Sequence, residues 1–159
     1  MRKDNMPKNN KVNPTRRTND NIELLQRLKG LIMELKAIYE KTMGTNIQKE
    51  VMEISKTTQK ILQCLIDGND DNNEVSKHRL FIEYYLPELV GILKQYATIK
   101  ELNIAGESAT KSVARIESFI PKARSAFSRI LEDVAIRDSV STEADIQIMI
   151  GELERNGFL

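Results

Sequence analysis

Apolar residues recur at steps of three and four along most of this 159-residue chain, and no segment keeps the period of two that a half-buried strand requires. Five such stripes stand out. The first is Leu25, Leu28, Ile32, Leu35 and Tyr39, flanked every seventh position by Leu24, Leu31 and Ile38. The second is Ile47, Val51, Ile54, Thr58, Ile61 and Leu65. The third is Ile82, Leu86, Leu89, Leu93 and Tyr96, with Phe81, Tyr85, Ile92 and Ile99 beside it. The fourth runs Val113, Ile116, Ile120, Ala123, Phe127, Ile130 and Val134, and the fifth is Ile146, Met149, Ile150 and Leu153, expected to face inward. Stripes of this width belong to helices that bury one face against neighbours. The pattern predicts an all-α fold, an elongated helical bundle of about five helices.

Punctuation between the stripes sets the boundaries. Asp20-x-x-Glu23 has capping-box spacing, so the first helix is expected from Thr18 or Asp20 to Gly44. Thr45 or Asn46 would cap the second, which ends in the loop of residues 67–73. The third spans about Asn73 to Leu102 and the fourth about Gly106 to Ile136. Ser141 or Thr142 opens the fifth, and Asn156-Gly157 stops it. Pro87 and Pro121 fall inside helical patterns, where each removes a backbone hydrogen bond and crowds the carbonyl four residues back, so each predicts a bend. The short link at Gly44 makes residues 20–67 an N-terminal helical hairpin, ahead of the helices of residues 74–159. An aromatic content of 5%, with no Trp, agrees with helices rather than a sandwich or barrel.

A formal net charge of +1 conceals two unlike parts. Residues 1–19 carry Arg2, Lys3, Lys8, Lys11, Arg16 and Arg17 against Asp4 alone, a net +5, whereas residues 20–159 carry 18 basic and 22 acidic side chains, a net −4. The first segment has too few apolar residues to offset its ordering entropy and reads as a disordered basic arm, 1–19, on a helical bundle domain, 20–159. Such an arm solubilises, or docks on anionic lipid or nucleic acid. It lacks aromatic residues for base stacking.

Several activities find no support. The single cysteine, Cys64, forms no internal disulfide, and its acidic neighbours Asp67, Asp70 and Asp71 would raise its thiol pKa, so it reads as an inert core thiol. No apolar run follows the N-terminal basic residues, and the densest apolar window, Phe81 to Leu93, contains Glu83, Pro87 and Glu88. Neither a secretory signal nor a membrane span is expected, and a cytoplasmic or membrane-peripheral location fits. Asn13-Pro14-Thr15 has proline in the middle and is no glycosylation acceptor.

His78 is the only histidine; Glu74, at i−4, is its nearest carboxylate, and it reads as a solvated residue near a helix start. Asp67-x-Asn69-x-Asp71 imitates a calcium loop but has Asn72 at the sixth position and His78 at the twelfth, so it reads as a solvated connection. No phosphate-binding loop, nucleophile elbow or zinc motif is present. No catalytic, cofactor-binding or metal residue is assigned and no cofactor is expected. Arg115, Lys122 and Arg129 recur every seventh position beside Arg124, a basic stripe suited to solvent or to an anionic partner.

One stretch is distinctive. His78-Arg79-Leu80-Phe81-Ile82-Glu83-Tyr84-Tyr85-Leu86-Pro87-Glu88-Leu89, followed by Ile92-Leu93-Lys94-Gln95-Tyr96, resembles the XpaC-like family, named for 5-bromo-4-chloroindolyl phosphate hydrolysis. Ala126-Phe127 and the later run Ser141-Thr142-Glu143-Ala144-Asp145-Ile146 to Leu153 and Asn156-Gly157 are also similar to it. The resemblance covers roughly residues 76–159. It implies a bacterial helical protein associated with toxic-anion resistance proteins of the TelA type, and it carries no catalytic motif over. Tyr85 is expected in the core and Tyr84 at the rim. The leading expectation is a non-enzymatic protein-interaction module, with a protein partner of the TelA type or a homodimer along an exposed seam. The alternatives are a phosphate-ester hydrolase and a module docking on anionic membranes through the arm.

Overall fold

The computed structural model describes residues 14–68, 73–136 and 139–159, and every regular element among them is helical. The helices are α1 (Pro14–Lys41), α2 (Gln48–Asp67), α3 (Asn73–Lys77), α4 (Leu86–Glu101), α5 (Glu107–Ala135) and α6 (Ser139–Arg155). A π-helical turn, Phe81–Tyr85, runs directly into α4. The all-α reading holds. Residues 1–13 lie outside the described residues, as do Asn69 to Asn72 of the supposed calcium-like loop.

Besides the start of α6, which falls at Ser139 rather than at Ser141 or Thr142, three boundaries differ from expectation. First, α1 opens at Pro14 rather than at Thr18 or Asp20. Proline suits a first helical position because its φ is preset and no intrahelical partner awaits its missing N–H. Arg16 and Arg17 therefore stand in a helix and not in the arm.

Second, neither Thr45 nor Asn46 caps α2. Buried Ile47 holds the N-cap position with no side-chain hydrogen bond. The Thr45 hydroxyl donates to the Thr42 carbonyl at 2.6 Å, and the Gly44 N–H donates to Gln48 Oε1 at 3.2 Å. Gly44 does provide the turn, at φ +79°.

Third, the single helix expected over 73–102 is divided. After α3 the chain turns at His78, and the Leu86 N–H reaches back to the Phe81 carbonyl, an i to i−5 bond. Pro87 follows at once. It has no N–H for the Glu83 carbonyl and its ring crowds that oxygen, so a wider turn just before it accommodates the proline. That bond pairs Phe81 with Leu86, both buried, and leaves Tyr84 and Tyr85 outside. Pro121 interrupts nothing: α5 runs through it.

The core is continuous. α2 packs against α5 and α1, α1 against α4, and α4 against α5. Leu28, Leu35, Ile54, Ile61, Leu65, Ile82, Leu86, Leu93 and Ile120 are fully enclosed, as the first four stripes require. Between α4 and α5, Asn103 takes the left-handed conformation (φ 50°), and the Ile104 N–H bonds to the Ile99 carbonyl at 3.2 Å. Gly157 (φ 75°) with the bond from Phe158 N–H to the Leu153 carbonyl at 2.9 Å ends α6 in the same way.

The fifth stripe does not face inward. α6 shares no substantial packing with any other described element. Ile146 is 47% exposed and Met149 63%, and Ile150 and the terminal Phe158 and Leu159 are exposed as well. The spacing correctly makes a helix, but none of the helices described covers its apolar face.

Candidate functional site

The wide turn before Pro87 has a consequence on the outer surface. It sets Tyr84 and Tyr85 side by side, with ring centroids 5.6 Å apart at an interplanar angle of 66°. Beneath them Phe81 meets Phe127 of α5 edge to face at 5.0 Å and 80°. This aromatic pair joins the turn before α4 to α5, and Phe127 also lines a groove between the two helices.

The groove encloses about 560 Å³. Leu89 and Ile92 supply the α4 wall, Ala123, Ala126 and Ile130 the α5 wall. Small residues at 123 and 126 keep the α5 wall low, so the floor stays open. Tyr85 (47% exposed) and Phe119 (43%) stand at the rim with Tyr84. Tyr85 is thus not a core residue, contrary to the sequence reading, whereas Tyr84 lies at the rim as expected. Three large exposed aromatics around an apolar trough are uncommon on a surface that meets only water.

The basic stripe borders the same groove. Lys122 and Arg129 line it, and neither has an ion-pair partner among the described residues; Glu88 stands on the opposite wall. Arg115 is exposed further along α5. Arg124 is diverted from the stripe: its Nε lies 2.8 Å from Glu50 Oε2, tying α5 to α2. The structure therefore brings together the Tyr84-Tyr85-Leu86-Pro87 segment, Ala126-Phe127 and two of the four cations, which the sequence holds about 40 residues apart. Phe119 was not anticipated as part of a site. The available signal was its place at the edge of the α5 stripe, about 20° from Ile130 and between it and the basic residues at 100° per residue, where an aromatic ring is only half covered by a core.

The remaining sequence candidates stay apart from the groove. His78 is not solvated: its side chain is only 15% exposed, with Nε2 3.8 Å from Glu74 Oε2. Burial holds its pKa below the usual histidine value, opposed by the carboxylates of Glu74 and Asp133 and helped by Lys77. Glu74 is itself buried and accepts from Lys77 Nζ at 3.3 Å. Cys64 is half-buried against the core, as an inert thiol would be. No group of three or more His, Cys, Asp or Glu side chains able to hold a metal occurs among the described residues.

A second polar cluster closes the far end of the bundle. Tyr96 is fully buried, and its hydroxyl donates to Glu117 Oε1 at 2.8 Å. Burial, reinforced by Glu117, pushes its pKa up to about 12, against a hydrogen bond with Thr45 that lowers it. Asn46 also approaches Glu117, at 3.4 Å. This cluster links the α1–α2 turn, α4 and α5, and it holds the two groove walls in register at the end opposite the tyrosines.

Comparison with protein-family models, with curated proteins and with solved structures finds no match for this chain. No helix among the described residues is long and apolar enough to cross a membrane.

Proposed function

We propose that this chain is a non-enzymatic helical protein-interaction module whose working surface is the α4–α5 groove. The observation that supports this most is the apolar trough of about 560 Å³, rimmed by exposed Tyr84, Tyr85 and Phe119 and by Lys122 and Arg129. Aromatic and arginine side chains around an apolar centre are the residue types that carry binding energy at protein interfaces. A trough between two helices accepts an amphipathic helix lengthwise, its apolar stripe down and its charges against the rim. Lys122 and Arg129 favour acidic residues beside that stripe.

In this reading Pro87 and Pro121 bend the two walls and so set the splay of the groove, since each lies next to a rim residue, Glu88 and Lys122. Two partner classes fit such a surface: a bacterial toxic-anion resistance protein of the TelA type, as the resemblance to the XpaC-like family implies, and a second copy of this chain. Phosphate-ester hydrolysis and docking of the basic arm on anionic membranes are the competing readings.

The test is affinity capture with three full chains: wild type, Phe119→Glu, and the Lys122→Glu, Arg129→Glu double variant. The expected result is a protein retained by wild type and released by both groove variants, with unchanged helicity in circular dichroism. Equal retention by all three, or turnover of phosphate monoesters by the purified chain, would contradict the reading.

A further inference from the structure

We infer that the occupant of the groove is α6 of a second copy of this chain, so that two molecules exchange their last helices. The inference rests on the groove reading above and names its ligand. Among the described residues two surfaces of one chain are left uncovered, and they are complementary. The α4–α5 groove is an apolar trough between two helices, with Lys122 and Arg129 on the α5 side. α6 is an amphipathic helix whose stripe, Ile146, Met149, Ile150 and Leu153, meets no other described element in substantial packing.

Charge follows the same pairing. α6 carries Glu143, Asp145, Glu152 and Glu154 against Arg155 alone. At 100° per residue, Glu143 and Glu154 flank one side of the stripe and Asp145 and Glu152 the other. Whichever way the helix lies, acidic side chains reach the cations of α5. Lengths also agree: the apolar α5 wall spans residues 119–130 and the α6 stripe spans 146–153, two turns that fit within three. Because the groove and α6 are on the same chain, a two-fold exchange fills both grooves and covers both stripes at once, closing the assembly as a dimer. No residue of α6 lines the groove of its own chain, which leaves the helix available to a neighbour.

Sedimentation velocity of full-length chains tests this. Wild type should sediment as a dimer at micromolar concentration. Phe119→Glu, which damages the groove, and Met149→Glu, which damages the helix, should each be monomeric, their dissociation constants weakened at least about tenfold. Mixed together they should recover a dimer, because one intact groove then meets one intact α6. A synthetic peptide of residues 139–159 should bind the Met149→Glu chain and not the Phe119→Glu chain.

A monomeric wild type, or a dimer that neither substitution weakens, overturns the inference. A monomeric wild type that refuses the peptide while Met149→Glu accepts it also overturns it, in favour of α6 folding onto its own groove. If the peptide binds neither variant while Phe119→Glu still releases a captured protein, the exchange is wrong and the groove stands. If Phe119→Glu changes neither assay, both fall.

Discussion

The α1–α5 body and α6 carry the same kind of apolar stripe and end up in opposite environments. In α2, Val51, Ile54, Ile61 and Leu65 recur at steps of three, four and seven and are fully enclosed. In α6, Ile146, Met149, Ile150 and Leu153 recur at steps of one, three and four, and the first three are exposed. Spacing specifies that a helix has a sticky face; it does not specify what lies against that face. In the body each stripe has a neighbour delivered by a short turn. In α6 none of the described helices is delivered, and the face is left exposed.

The contrast is broken most forcefully in the body. Leu35→Ala or Leu93→Ala, at fully enclosed positions, should each cost about 2–5 kcal/mol in denaturant unfolding, through lost transfer energy and the cavity left behind. Met149→Ala, measured at concentrations low enough to keep the chain monomeric, should stay within about 0.5 kcal/mol, as surface changes do. A core-sized loss at Met149 would mean that α6 is part of the body after all.

The next largest effect should come from the polar cluster at the far end. Tyr96→Phe removes the hydrogen bond to Glu117 and should cost about 1 kcal/mol at neutral pH. It should also change the alkaline behaviour. The folded state holds Tyr96 at about 12, above its ordinary value of 10, so its contribution is fully present below pH 10 and is lost as pH rises toward 12. Wild type should therefore lose stability faster than Tyr96→Phe across that window, and parallel curves would contradict the assignment.

The smallest effect concerns His78. Burial lowers its pKa in the folded state, so the neutral ring is favoured and its contribution is present above pH 6.5 and lost as pH falls below it. His78→Gln should flatten the acid limb of the stability curve below pH 6.5 without altering the groove. Unchanged slopes would show that the ring titrates as freely in the fold as out of it.

How far the sequence could be read follows the same contrast. Four stripes, the stops at Gly44 and Gly157, the Asn103–Gly106 connection and the burial of Tyr96 were all legible, because they depend on spacing and local turn chemistry. The groove was half legible. Tyr84-Tyr85-Leu86-Pro87 and the Lys122–Arg129 stripe were visible as segments, but their meeting depends on how α4 crosses α5, and no local rule supplies that. Tyr85 was misplaced for a definite reason. A regular 3.6-residue phase carries it inward with Phe81, and the i to i−5 bond ahead of Pro87 puts Leu86 there instead. His78 was misplaced because a position near a helix start was read as solvated, whereas its side chain is only 15% exposed, beside buried Glu74.

Amide hydrogen exchange at two protein concentrations tests the central claim most directly. At low concentration the amides of residues 139–155 should exchange quickly while those of α2 and α4 exchange only with global unfolding. At high concentration protection should rise in α6 and along the groove residues 84–92 and 119–130, and stay unchanged in α2. Protection of α6 equal to that of α2 at every concentration would contradict the account, since the last helix would then be core and not a surface awaiting its partner.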